Sequence, residues 1–544
     1  MGDEDANKKF FGKTLSPGLG CGKTFIYQRK LWRFNEFQDI EVSEIEAELR
    51  RFELAVAEVR RDLKNTTEQV AEEIDEDLSA IFQAHMAMVS DKGLNEEVKK
   101  RIREERISAG SAVTIVFGRW EQRFSAMEAE IAREKADDIH DLTQRLVLAL
   151  AGVGAHELKE NLPRGAVLVT NRLMPSDTIF ITGRKASAVV LENGGKASHA
   201  ALFAREMGLP CVSGIKDAIH TMPSGQPALV DADKGMVVIN PEKKEKNFFR
   251  QKQKQIHQIK SSARANSHKP AITKSGKTVS VFANVGHKDD VRAAIKNGAD
   301  GIGLYRLENI YLGRQGLPDY HRLLKEVRET LFEARQLPIF VRLLDIGADK
   351  PFPFKKKQRE SNPSLGRRGI RFLLEYPELL LTQLEVFLQL TRIFDLHVLV
   401  PMVTLPSDMQ RVKDYLEKAA SQAQAGPRPK LGAMIETPAA ALSAPGISKF
   451  SDFLSFGTND LTQYTLAADR ENGTAEAYFD DTHEVIFRLL EIAGREAPQM
   501  PLSICGELAG REEALPTLLN CGITTLSVVP TSIPGIKEAV RRCD

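Results

Sequence analysis

Polar side chains that can do chemistry end a series of short apolar runs in the C-terminal half of the chain. Arg306 follows DGIGLY, Arg342 closes IFVR, Arg368 opens RGIRF and Glu436 ends LGAMIE; Asn459 and Asp460 follow DFLSFGT, and Cys505 ends LSIC. Clustered arginines suit planar, bidentate recognition of carboxylate or phosphate, so these residue types predict a small, doubly anionic ligand. Glu436 and Asp460 predict a divalent metal, because magnesium is held by one or two carboxylates together with phosphate oxygens and retained waters. Taken singly, an arginine or a glutamate after a strand is ordinarily a salt-bridge or capping group, and the joint pattern carries the reading. Cys505 stays open between a buried, inert thiol and a proton donor or acceptor tuned by neighbouring charge.

A second constellation is GGKASHAALFAREMGLPCVSG, residues 194–214. A flexible Gly-Gly leads into an amphipathic helix that has His199 in its first turn and stops at Gly208 before Leu-Pro. A histidine at a helix start is ordinarily a cap or a surface group. It is also a good nucleophile and leaving group near neutral pH, and a phosphoryl group on it would face free backbone N–H groups and the positive end of the helix dipole. By contrast SPGLGCGKT, residues 16–24, only imitates a phosphate-binding loop. Pro17 stands where the first glycine is required and FIYQ continues as strand rather than helix, so backbone packing accounts for its glycines.

The elements that position these residues follow from pattern. Residues 10–28 read as strand, Gly-rich turn and strand. Residues 42–150 read as helices throughout, with long amphipathic periods and few glycines, inserted into another domain. Strands resume at 166–171 and 186–193, and residues 228–241 resemble a closing hairpin. A Lys-, Gln- and Arg-rich stretch at 242–270 reads as an exposed linker helix. Eight candidate strands follow: 279–285, 300–305, 339–345, 368–372, 398–403, 431–436, 452–457 and 502–506. Eight strands alternating with helices predict a closed parallel barrel with its site at the strand C-termini, an open doubly wound sheet being the alternative. The fold class expected is therefore multidomain α/β, divided into 1–40 with 151–241, 41–150, 242–270 and 271–544. Lys+Arg 75 against Asp+Glu 74 argues against a nucleic-acid binder. Cys21, Cys211, Cys505, Cys521 and Cys543 lack metal or disulfide spacing, and no apolar run approaches a membrane span, so a cytoplasmic protein without membrane insertion is expected.

The runs GGKASHAALFAREMGLP, ETPAAALSAPG, FGTNDLTQYTLAADR and CGELAG resemble the phosphoenolpyruvate-utilising enzymes, and among them the Enzyme I group of the sugar phosphotransferase system, over almost the whole chain. The resemblance implies that His199 is the phosphorylated residue of a phosphohistidine domain. It also implies that Arg306, Arg342, Asn459, Asp460 and Arg470 contact phosphoenolpyruvate, with Arg368 beside them, that Glu436 and Asp460 hold Mg2+ (or Mn2+), and that Cys505 handles the proton at the methylene carbon. IFQAHMAMVSD and REKADDIHDLTQRL resemble the segment that docks the histidine phosphocarrier protein HPr, and the family's barrel carries homodimer contacts. Departures stand at Ala197, Tyr305, Leu307, Asn309, Ala348 and Arg367. The rival expectations are an ATP-dependent dikinase or phosphoenolpyruvate synthase, which needs a nucleotide-binding domain where this chain has helices, and a catalytically silent regulatory scaffold.

Overall fold

Short alternating runs in the first thirty residues become β1 (Lys8–Phe11), β2 (Lys13–Ser16) and β3 (Leu19–Tyr27) of a mixed sheet. The structure, a computed structural model, describes residues 7–28, 39–73, 76–126, 130–152, 161–175, 177, 181, 186–195, 198–311, 317–347, 360, 362–422, 427–470 and 475–544. Ala197 and Ala348 lie outside the described residues, as does the side chain of His199. The chain divides into two units, Met1–Lys254 and Gln255–Asp544.

In the first unit β4 (Val167–Thr170), β5 (Ala188–Leu191), β6 (Cys211–Ser213), β7 (Pro227–Asp231) and β8 (Met236–Ile239) complete a sheet of order β1-β8-β7-β3-β4-β5-β6-β2. The pair β7–β8 is the antiparallel hairpin expected at 228–241. Strand β3 lies between antiparallel β7 and parallel β4, which leaves no helix after GCGKT to make a phosphate loop. Its glycines serve close packing: side chains at Gly20 and Gly22 would run into the carbonyl oxygens of Ser187 and Gly165.

Between β3 and β4 the described residues form the long helices α1 (Ile45–Glu73), α2 (Glu76–Val89), α3 (Lys92–Glu105), α4 (Ala109–Ser125) and α5 (Glu130–Leu150). Asp91 caps α3 by accepting from Leu94 N at 2.9 Å, and Ser108 caps α4 by accepting from Ser111 N at 3.3 Å. Their apolar faces meet in a core of Phe52, Leu63, Phe82, Ile102, Phe117 and Leu142. A buried polar tie joins α2 to α5, His85 Nε2 lying 2.9 Å from Asp138 Oδ1. The histidine-bearing helix α6 (His199–Glu206) sets Ala200, Ala201 and Ala204 against the sheet and Phe203 against the bundle, where its ring meets Phe82 edge-on at 6.1 Å. The charged stretch after Pro241 is helix α7 (Lys243–Ala265), within which the division between the units falls.

The second unit holds β9 (Ala271–Ile272), β10 (Thr278–Val285), β11 (Ile302–Tyr305), β12 (Ile339–Arg342), β13 (Leu396–Val403), β14 (Leu431–Ile435), β15 (Phe453–Phe456), β16 (Leu502–Ile504) and β17 (Thr525–Val528). Strands β10 to β17 are joined in parallel around a ring, and the pairing of β10 with β11 closes it, which excludes the open sheet. Every residue of β13 and β14 is buried, as strands covered on both faces must be.

One expected strand is corrected. Residues 368–372 do not pair: Gly369 adopts φ 54°, a left-handed conformation that interrupts an extended run, and α8 (Ile370–Glu375) follows with Ile370 and Leu373 buried at helical spacing. The eighth strand of the barrel is β17, beyond the last run expected from sequence. Among the described residues no helix is long and apolar enough to cross a membrane.

Candidate active site

Parallel strands of a closed barrel deliver their C-terminal residues to one mouth. Arg306 directly follows β11, Arg342 ends β12, Glu436 follows β14, and Cys505 follows β16. Asn459 and Asp460 occupy the first turn of α9 (Thr458–Leu466), which starts two residues after β15. Arg368 reaches the same mouth from the loop before α8 rather than from a strand.

Charge pairing holds these groups together. Arg342 Nη2 donates to Glu308 Oε1 at 2.9 Å, and its Nη1 lies 3.2 Å from Asp345 Oδ2. Glu308 Oε1 also accepts from the backbone N–H of Asp345 at 2.9 Å. Arg368 forms a fork with Asp460, Nη1 to Oδ1 at 2.8 Å and Nη2 to Oδ2 at 3.3 Å, and its Nη2 also reaches Asp345 Oδ2 at 3.0 Å. The Tyr464 hydroxyl accepts from Arg368 Nη1 at 3.1 Å and donates to the Ser364 carbonyl at 2.5 Å. Asn459 stitches two strand ends together, accepting from Glu507 N at 2.8 Å and donating to Glu507 Oε1 at 3.3 Å.

Glu436 is 1% exposed and accepts from the backbone N–H of Met402, a non-glycine residue held at φ 55°. Strain of this kind persists only where the surroundings over-determine it, and it clusters at functional sites. Burial, then the charges of Asp460 and Asp345, push the Glu436 carboxyl up to about 8, against the pull of Arg368 and Arg342. Among the described residues no three His, Cys, Asp or Glu side chains form a ready metal cage. Glu436 and Asp460 therefore suit an open cation site, completed by other ligands, better than a closed structural one.

The arginines divide by environment. Burial pulls Arg342 down, but Glu308, Asp345, Glu436 and Cys505 together more than offset it, and its buried Nε has no hydrogen-bond partner among the described residues. Arg306 keeps solvent access through the mouth, yet surrounding protein strips much of its hydration and, with Arg342 and Arg470 close by, lowers its proton affinity. Arg470 itself is exposed. Cys505 is buried; lost hydration raises its thiol to about 11, so it stays protonated at neutral pH. Ser455 Oγ donates to its sulfur at 3.7 Å, and Arg342 and Arg306 are near enough to pull the thiol back toward ionisation.

The sequence reading overlooked Glu308, Asp345 and Tyr464. Asp345 stands three residues after Arg342 and pairs with it, a spacing legible in the sequence, whereas Glu308, two residues after Arg306, pairs instead with Arg342, 34 residues on. Tyr464 gave no such signal, because its contact with Arg368 spans 96 residues.

In the first unit the expected histidine opens α6. Ser198 caps that helix, accepting from Ala201 N at 3.3 Å and donating to the Gly195 carbonyl at 2.7 Å, and Gly208 ends it at φ 58°.

A closed parallel barrel with guanidinium groups and paired carboxylates at its C-terminal mouth is suited to receiving a small polyanion together with a cation. Three family profiles match the chain: "PEP-utilising enzyme, PEP-binding domain" over residues 260–544, "PEP-utilising enzyme, N-terminal" over 11–135 and "PEP-utilising enzyme, mobile domain" over 162–235. The phosphoenolpyruvate-protein phosphotransferase of Bacillus sp. (strain S) is 34% identical, with 98% of this chain and 93% of that protein aligned. Those of Geobacillus stearothermophilus and Haemophilus influenzae are 34% and 31% identical, covering 100% and 97% of this chain and 94% and 93% of their own. The chain belongs to the phosphoenolpyruvate-utilising enzyme family, whose members are generally metal-dependent.

Proposed function

We propose that this chain is a phosphoenolpyruvate-protein phosphotransferase: it takes the phosphoryl group of phosphoenolpyruvate onto His199, releases pyruvate, and passes the phosphoryl group to a histidine of an HPr-like carrier. The observation that carries the reading is the convergence of Arg306, Arg342 and Arg368 with Glu436, Asp460 and the protonated thiol of Cys505 at one barrel mouth.

The arginines, with Asn459 and Arg470, bind and orient the phosphate and carboxylate of the substrate. Glu436 and Asp460 would hold Mg2+ or Mn2+, which when bound would supply positive charge against the phosphate. An imidazole nitrogen of His199 attacks phosphorus, the bond from phosphorus to the enol oxygen breaks, and the electron pair moves through the enolate. Cys505 gives its proton to the methylene carbon to complete pyruvate, and solvent restores the thiol. The protein contributes mainly position and electrostatics.

For the second transfer, support comes from α6. Phe203 of the His199 helix packs on Phe82, within the IFQAHMAMVSD run, so a carrier docked on α2 would meet the start of α6. The four-part domain division, with residues 242–270 as linker, is proposed to let His199 serve donor and acceptor in turn. A homodimer through the barrel and a cytoplasmic setting complete the proposal; the five free thiols suit a reducing compartment. Incubation with phosphorus-labelled phosphoenolpyruvate and Mg2+ is expected to leave an acid-labile, base-stable label that His199→Ala abolishes and that added carrier removes. Wild-type protein that stays unlabelled would sink the reading, and label acquired only from ATP would replace it with a dikinase.

A further inference from the structure

Both oxygens of Asp460, one of the two carboxylates assigned to the metal, are taken by a single guanidinium. Arg368 spans them, Nη1 to Oδ1 at 2.8 Å and Nη2 to Oδ2 at 3.3 Å. Three further contacts hold it in that pose: the Tyr464 hydroxyl, anchored in turn on the Ser364 carbonyl, receives Nη1, and Asp345 receives Nη2 at 3.0 Å and Nε at 3.5 Å. The segment carrying Arg368 is a loop between Gly366 and Gly369, with no strand pairing to fix its backbone.

Building on the phosphotransferase reading of this mouth, we propose that Arg368 is a resident counter-cation of the metal site, which must turn away from Asp460 before a divalent cation can bind there and which is thereby released to the anionic substrate. A fork of two N–H···O bonds takes one lone pair on each Asp460 oxygen and fixes the carboxylate's orientation, so a metal arriving there competes with the guanidinium for the same two oxygens. Magnesium demands oxygen ligands at short distance in near-octahedral geometry, and a carboxylate held in the plane of a guanidinium is not free to turn toward it. Repulsion between the two cations in a partly buried mouth acts in the same direction. Asp345 supplies the pivot, because its contact with Nη2 survives rotation of Nη1 away from Asp460. The released guanidinium then faces the phosphate or carboxylate of phosphoenolpyruvate, the anions that its planar fork matches best. Metal and substrate therefore favour each other's binding through one side chain, beyond any direct contact between them.

The test is Mn2+ binding to the full-length, metal-stripped protein without phosphoenolpyruvate, read by titration calorimetry and by the electron paramagnetic resonance signal of free Mn2+. Arg368→Met is expected to bind Mn2+ about tenfold more tightly than wild type, the scale of one removed charge interaction. Tyr464→Phe, which removes one of the contacts holding the docked pose, is expected to tighten binding about twofold to fourfold. Unchanged or weaker binding in a folded Arg368→Met protein overturns the proposal. If that variant does not fold by circular dichroism, Tyr464→Phe decides by the same criterion. Glu436→Gln separates the two levels of argument: Mn2+ binding unaffected by that change refutes the metal assignment itself, whereas binding lost in Glu436→Gln but not tightened in the other two refutes only the role of Arg368.

Discussion

At the scale of single residues, environment sets chemical role. Cys505 is not a thiolate nucleophile, because burial raises its thiol to about 11. A thiol that holds its proton is the form needed to protonate an enolate, and general acid catalysis contributes on the order of 10²–10⁴ in rate. Cys505→Ala is expected to slow pyruvate formation by about that factor while Mn2+ affinity stays near wild type, as measured by coupled pyruvate assay and calorimetry. Glu436 carries the opposite lesson about charge. In the metal-free protein burial and its acidic neighbours hold a proton on it up to about pH 8, whereas the unfolded chain releases that proton near the ordinary 4.5. Between those values the native state binds the extra proton, so stability falls as pH rises through the window and levels off above it. Urea unfolding in the presence of chelator is expected to show this slope in wild type and a flatter one in Glu436→Gln.

Elements translate such residues into geometry. The first turn of α6 depends on one hydroxyl, the cap that Ser198 provides to Ala201 N. Ser198→Ala is expected to cost about 1 kcal/mol locally. It should speed hydrogen exchange at Ala201 and lower the phosphorylation rate of His199, with global unfolding nearly unchanged. In the barrel, Gly457 ends the β15 turn because a side chain there would put a Cβ 2.7 Å from Glu436 Oε2. Glu436 cannot swing aside freely, since its other oxygen is held by Met402 N. Gly457→Ala is therefore expected to destabilise the barrel by about 1–3 kcal/mol and to weaken Mn2+ binding, both measurable on the same preparation.

The whole molecule divides into two compact units, whose stabilities are expected to be separable. Both tryptophans, Trp32 and Trp120, fall within the sequence span of the first unit, Trp120 on α4, so tryptophan fluorescence is expected to report on that unit and circular dichroism on both. Lys537, fully buried on α10 (Ile533–Arg542), meets Asp300 Oδ1 at 2.6 Å, and Asp300 Oδ2 accepts from Val281 N of β10 at 2.9 Å. Asp300→Ala leaves a buried ammonium without its partner, a loss of about 3–5 kcal/mol. The expected result is a lower urea midpoint by circular dichroism with the fluorescence transition in place; a shift in both would show that the units unfold together.

The sequence by itself determined which groups take part, because a residue's type and its place at the end of an apolar run can be read one segment at a time. Arg306, Arg342, Glu436, Asp460 and Cys505 stand at strand ends or in the turn just beyond, and His199 opens the helix its surroundings predicted. Short runs were harder, since four or five residues fit a strand or a buried helix equally well. Residues 368–372 fit an extended run by residue type, but the left-handed Gly369 leads them into helix, and β17 is only four residues long. Only the tertiary structure decided how distant charges pair, as in Arg368 with Asp460, 92 residues apart, and Arg342 with Glu308, 34 apart. Barrel closure belongs with them, through the pairing of β10 with both β11 and β17. Pairing energies depend on distance and burial in three dimensions, and neither is encoded in a local stretch of chain.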